Sequence, residues 1–215
     1  MMMTGINKKY ILFIVCGIVS TCVSALVPLI YHPYLSAVPA AVACALFILA
    51  GAVSKDTHIS KIMLIISFSL YMTCLLAFTL FGRKINLIFN ADNIAEWLKS
   101  HIYLKPFNNI EYYGSQLFTY QWKTAVFNFF GNLAALAPFA FFLPKLYNKA
   151  YKRSVFFLFL FGLVSFIEIM QLILGCGIFD VDDFILNMSG SWIVYEIFSS
   201  EKMKLRFDKL LGTGV

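Results

Sequence analysis

Apolar runs long enough to cross a bilayer recur along this chain, and no other feature limits its fold as severely. Six such runs can be traced, over residues 10–30, 35–53, 62–82, 125–143, 155–174 and 184–199. An α-helix rises about 1.5 Å per residue, so runs of this length approach the roughly 30 Å hydrocarbon core, the last one only marginally. The composition agrees: the chain is 60% hydrophobic and 13% charged, with a mean hydropathy of +0.80, whereas soluble domains are about 45–50% apolar. Water-soluble folds are excluded. The expectation is an all-α fold, a polytopic membrane helical bundle of about six transmembrane helices. A chain of 215 residues leaves no room for a large extra domain. Pro138 falls inside the fourth run, where it should kink the helix and free a backbone carbonyl.

The net charge of +6 does not indicate nucleic acid. The basic residues stand in short clusters between apolar runs, as expected of loops that touch anionic lipid. With the N-terminus inside, the cytoplasmic segments carry Lys8 and Lys9, Lys55 and Lys61, then Lys145, Lys149, Lys152 and Arg153, and lastly Lys202, Lys204, Arg206 and Lys209. The outer side carries Arg83, Lys84, Lys99, Lys105 and Lys123, all in one loop. This asymmetry fits six spans with both termini cytoplasmic. The organisation expected is three N-terminal spans (1–82), an extracytoplasmic loop (83–124), three further spans (125–200) and a basic tail (201–215).

The long loop is not low-complexity. Asn90 or Asp92 can cap a helix whose residues Ile94, Trp97, Leu98 and Ile102 share one face. That helix fits either an amphipathic element on the outer membrane surface or a lid packed over the bundle. An aromatic patch, Tyr112 and Tyr113, follows Lys105-Pro106-Phe107-Asn108. Four of the five cysteines (Cys16, Cys22, Cys44 and Cys74) lie in apolar runs and read as small buried hydrophobes; Cys176 stands alone in a short loop. The first apolar run continues past a weak cleavage-like site at Val23-Ser24-Ala25, which favours an uncleaved helix. His32, His58 and His101 fall in separate loops and cannot form one ligand set.

Polar residues inside the last three runs form faces. Asn128 and Asn132 are spaced i, i+4; Ser165, Glu168 and Gln171 are spaced i, i+3; Asn187 and Ser191 are again i, i+4. The topology puts Asn132 roughly 10 Å, Glu168 about 9 Å and Asn187 about 5 Å in from the outer end of their helices. An unpaired carboxylate in hydrocarbon is costly, so Glu168 should face the bundle interior and find partners, with Gln171, Asn132 and Asn187 the obvious candidates. The alternative is a hydrogen-bonded cluster that only glues three helices together. Just above lie Asp180, Asp182 and Asp183. Asp182 or Asp183 is expected to cap the sixth helix; the three carboxylates could also hold a divalent cation, or position an anionic headgroup. Glu196, near the inner end, should snorkel or pair with a basic loop residue.

Taken in order, Asn128-Phe129-Phe130-Gly131-Asn132, Pro138-Phe139, Leu143-Pro144, Ser165-Phe166-Ile167-Glu168 with Gln171, and Phe179-Asp180-Val181-Asp182-Asp183 with Asn187 and Gly190 resemble the VanZ-like family. The Pro106-Phe107 pair fits too, and the resemblance covers about residues 105–195. An arginine often precedes the acidic segment in that family, where this chain has Gly177 and Ile178, so Asp180 would need another cation, such as Lys105, or a metal. The resemblance implies a multi-pass bacterial membrane protein linked to low-level resistance to teicoplanin, a lipidated glycopeptide.

The leading expectation is a non-enzymatic or weakly catalytic envelope protein that handles an amphiphile or cell-wall precursor at the outer leaflet. Asn132, Glu168, Gln171 and Asn187 would form its polar floor and Asp180, Asp182 and Asp183 its rim, with Asn128 a further ligand-binding candidate. Its partners would be the lipid bilayer and a lipid-linked ligand. The rival readings are a membrane enzyme acting on a lipid headgroup, with Glu168 as acid or base and an aspartate-bound divalent cation as cofactor, and a structural partner in an envelope complex.

Overall fold

The computed structural model describes residues 8–30, 37–54, 56–82, 84–88 and 92–211. His32, Lys55, Arg83 and the candidate cap Asn90 lie outside them. Within the described residues each of the six apolar runs is helical: α1 (Lys8–Ile30), α2 (Ala37–Ser54), α3 (Thr57–Phe81), α6 (Trp122–Ala135) continued by α7 (Ala137–Leu146), α8 (Arg153–Leu174) and α9 (Val181–Ser199). Between them lie α4 (Ile94–His101), β1 (Ile102–Tyr103), α5 (Asn108–Gln116) and β2 (Phe179–Asp180), and α10 (Glu201–Leu211) follows. Among the described residues the fold is all-α apart from the two-residue strands.

Among the described residues, three helical stretches, Thr57–Phe81, Trp122–Leu146 and Arg153–Leu174, are long and apolar enough to cross a membrane. Only 17%, 28% and 22% of their most apolar portions are buried inside the protein. Most of that hydrocarbon faces outward, where water would be a poor solvent and lipid a good one.

The chain divides into two compact units, residues 1–78 with 199–215 and residues 79–198. In the first, Ala43, Phe47 and Ala50 of α2 and Met63 of α3 form a buried core, flanked by Tyr10, Phe13 and Ile14 of α1. Small side chains on α2 let α3 approach closely enough for Ser60 Oγ to donate to Gly51 O at 2.8 Å and Ser67 Oγ to Cys44 O at 3.2 Å. The segment expected as a basic tail carries a helix, α10, over Glu201–Leu211. Met203, Phe207 and Leu211 recur at i, i+4, i+8 as its less exposed face, and Leu211 is fully buried. The cysteine expectation fails in α1, where Cys16 and Cys22 are exposed.

The second unit holds the polar residues. Its core is aromatic and aliphatic: Phe139, Phe156, Leu160, Val164 and Tyr195 are buried, and the rings of Phe156 and Tyr195 stack at 4.0 Å. Pro138 acts as expected, and more strongly. The fourth run is not one kinked helix; it breaks at Leu136, with Pro138 in the first turn of α7, where a missing N–H costs nothing. Gly190 is where α9 meets α6. A Cβ there would lie 1.7 Å from Leu133 O, so only glycine permits this backbone contact.

Candidate functional site

The site forms where α8 ends and α9 begins. Helix α8 closes on Gly175 (φ 59°). Gly175 N donates to Leu172 O and Cys176 N to Gln171 O, the paired bonds of a left-handed glycine cap. The chain then runs through β2 into α9. Asp180 immediately precedes that helix, and its Oδ1 accepts from Asp182 N at 2.9 Å. Asp180 is therefore the cap of α9, not Asp182 or Asp183 as their position in the helix sequence suggested.

Asp182 points elsewhere. It is fully buried, and its carboxylate accepts from the backbone N–H groups of Phe107 (2.5 Å), Asn109 (2.7 Å) and Ile110 (3.2 Å). These are the orphan donors at the start of α5, which has no side-chain cap of its own. A carboxylate from α9 thus caps a helix in the long loop between α3 and α6, and its charge complements that helix's dipole. The chain enters α5 through Phe107, the one non-glycine residue with positive φ (64°) among those described. A left-handed phenylalanine costs about 1–2 kcal/mol. Hydrogen bonds to a charged group contribute about 1.5–3 kcal/mol each, so Asp182 more than offsets that strain.

The remaining carboxylates are bonded in the same neighbourhood. Glu168, on α8, is 3% exposed, and its Oε2 accepts from Asp180 N at 3.3 Å. The Asn109 side-chain amide donates to Asp180 Oδ2, and the Asn132 amide donates to Asp183 Oδ1. Asn187 Nδ2 donates to Asp183 O, one turn back in its own helix (2.9 Å). Four segments are joined: α6 through Asn132, α8 through Glu168, the α8–α9 connection and start of α9 through the three aspartates, and the loop through residues 107–110.

The sequence-predicted residues divide accordingly. Asn132, Glu168, Asp180, Asp182, Asp183 and Asn187 come together, although the partners expected for Glu168 are different ones. Asn132 and Asn187 bond to Asp183, and Gln171 turns to Thr79 O (3.2 Å), so Asp180 N is what Glu168 meets. Asn128 is half-buried on the same face as Asn132. Ser191 is fully buried, with no partner for its Oγ among the described residues. Asp180 is met by the Asn109 amide, not by Lys105, which is exposed. Among the described residues, no group of three or more His, Cys, Asp and Glu side chains is placed to hold a metal ion. Glu196 forms a two-pronged ion pair with Arg153, Nε–Oε1 and Nη2–Oε2 both 2.8 Å, as expected of it.

Asn109 and the backbone of Phe107 were not predicted. The pair Asn108-Asn109 after Pro106 signals a helix start, but a capping partner more than seventy residues away leaves no local pattern.

The loop is stitched down along its length. Asn86 N donates to Leu174 O at 3.0 Å. A Cβ at Gly175 would lie 1.8 Å from Asn86 O and 2.8 Å from the Trp97 ring. β1 pairs in parallel with β2, Ile102 opposite Phe179 and Tyr103 opposite Asp180. Helix α4 is capped by Asn93, whose side chain accepts from Ala95 N and Glu96 N, and not by Asp92. Trp97 packs toward the Gly175 turn and stacks with His101 at 3.9 Å, so this histidine is not a freely solvated one. Ile94, expected on the same face, is 51% exposed. Of the two readings for this helix, the packing of Trp97 favours the lid.

No curated protein and no solved structure shows a significant match to this chain. The family comparison does match: residues 68–202, more than half the chain and including every carboxylate and amide of the site, fit the VanZ/LLP1 family. With its long apolar helices facing outward and that match across the whole polar cluster, this chain is a membrane protein that belongs to the VanZ/LLP1 family.

Proposed function

We propose that the chain is a six-span protein of the bacterial cell envelope, with both termini cytoplasmic, that contributes to glycopeptide resistance of the teicoplanin type by handling an amphiphile or cell-wall precursor at the outer leaflet. Family membership supports the link to glycopeptides. The distribution of Lys and Arg supports the orientation. The observation that carries the reading is the clamp of Asp182 on residues 107–110 beside buried Glu168. It anchors an outer loop directly on a polar floor, in a chain whose helices otherwise present hydrocarbon. Such a floor and lid suit a ligand with a polar head and an apolar tail.

Binding is favoured over catalysis because the aspartate carboxylates are already engaged. Asp182 receives three backbone N–H groups, Asp180 an amide and a backbone N–H, and Asp183 an amide. Groups so engaged hold a shape well and are poorly placed to collect a metal. The test is teicoplanin susceptibility in a host carrying the gene at matched expression. Glu168→Ala should abolish the protection and Glu168→Gln, which keeps shape and removes the ionisable group, should reveal whether the acid is needed. Unchanged susceptibility with Glu168→Ala would make the cluster helix glue and sink the proposed site.

A further inference from the structure

The turn joining α5 to α6 is built from polar bonds yet displays its largest apolar rings to the outside. Thr119 organises it. Thr119 N donates to Gln116 O (3.0 Å), and Thr119 Oγ1 lies 2.9 Å from the same carbonyl and accepts from Gln121 N at 3.1 Å. Gln121 also receives Tyr112 Oη (3.2 Å) and donates to Tyr120 Oη (2.9 Å). A turn so heavily bonded has a defined shape. That shape leaves Phe118 98% and Tyr120 90% exposed, with Leu117 and Trp122 about half exposed at 45% and 47%. A bare phenylalanine beside a bare tyrosine, held outward by a fixed scaffold, is a costly surface to offer to water and a favourable one to offer to a membrane boundary.

Continuity along the chain identifies the occupant. Trp122 is the first residue of Trp122–Leu146, one of the stretches long and apolar enough to cross a membrane. Phe118 is four residues before it, so the turn stands at the mouth of a span. Farther along the same helix, Phe127 (62%) and Phe130 (57%) carry the exposed aromatic surface onward. Lys123 lies with its Nζ 5.8 Å from the Trp122 ring centroid, a cation beside an interfacial aromatic. Apolar rings below, an indole at the boundary and a cation beside it match the layering of acyl chains, headgroup zone and lipid phosphate.

We infer that the Leu117–Lys123 turn inserts Phe118 and Tyr120 into the headgroup–acyl boundary of the bilayer, so that α5 is tied to the membrane surface at its C-terminal end and to Asp182 at its N-terminal end. This depends on Trp122–Leu146 crossing the membrane and not on any ligand or on antibiotic resistance.

The test is photocrosslinking of the full chain in nanodiscs of phosphatidylethanolamine and phosphatidylglycerol, with p-benzoylphenylalanine replacing one residue at a time. Phe118 is nearly bare, so its replacement removes no packing. Phe127, exposed on the span, sets the scale for lipid labelling, and Ser115, exposed on α5, sets the background. Mass spectrometry should find lipid adducts at 118 with a yield close to that at 127 and severalfold above that at 115. Adducts at 118 only to protein, whether a second copy or a contaminating partner, would overturn the inference. So would a lipid yield at 118 no higher than at 115.

Discussion

Asp182 shows how misleading the position of a carboxylate can be when read along the chain. It stands in the first turn of α9, where an acid ordinarily serves its own helix, and it serves another. Its three acceptor bonds make specific demands. Asp182→Ala should cost about 3 kcal/mol, because it leaves three backbone N–H groups without their acceptor and releases the strained entry into α5. Asp182→Asn should be nearly as damaging, since one oxygen becomes an NH₂ that faces another donor. Thermal unfolding in detergent measures the loss, and faster proteolysis between residues 104 and 121 should accompany it. Phe107→Asn should behave in the opposite sense. Asparagine enters the left-handed region more readily than phenylalanine, so stability should hold or rise by up to about 1 kcal/mol while the backbone bonds to Asp182 remain.

At the level of elements, the contact of α6 and α9 depends on one missing side chain. Gly190→Ala places a methyl inside the Leu133 carbonyl, so the two helices must separate. The expected loss exceeds about 3 kcal/mol, seen as a collapse in folded yield and melting temperature, with Gly190→Leu worse than Gly190→Ala. The helices themselves were legible in sequence because apolar length is a strong signal: within the described residues every expected run is helical, with ends within a few residues apart from the earlier start of α3. Pro138 marked the fourth as kinked, and the structure turns that kink into a break at Leu136. What escaped notice has a physical reason in each case. α5 has no cap in its own sequence, because Asp182 supplies it. α10 is a short helix of eleven residues with charged residues on most sides, so its Met203, Phe207 and Leu211 stripe is thin. β1 and β2 are two residues each and pair across 77 positions, far beyond any local pattern. The candidate site was legible as a set of residues on common faces, since buried polar groups in an apolar chain must find one another. Its pairing was not: spacing gives the face a side chain occupies, and the partner is set by how the connections fold back.

For the whole molecule, the division of Lys and Arg makes a prediction about sidedness. A fluorescent protein that matures only in the cytoplasm should be bright when fused at either end of the chain, and alkaline phosphatase should be active when fused within residues 104–121. Activity of the phosphatase at the C-terminus would contradict an even number of crossings. The same scale accommodates the exposed apolar side chains. Leu158, Phe157 and Phe161 on α8 are 69%, 47% and 48% exposed, a surface that would promote aggregation of a soluble protein and is ordinary in one dissolved in lipid. The Arg153–Glu196 pair, well exposed on its arginine side, should matter little for stability, and Arg153→Ala should leave the melting temperature close to that of the parent chain.

The clamp between Asp182 and Phe107 also sets an order of events at birth. The two residues are 75 positions apart. At translation rates of about 5–20 residues per second, roughly 4–15 s of synthesis separates them. During that interval the loop has left the ribosome and its helix has no anion at its head. The acid that completes it arrives on α9, so the loop that carries α5 cannot be closed until that helix has been made.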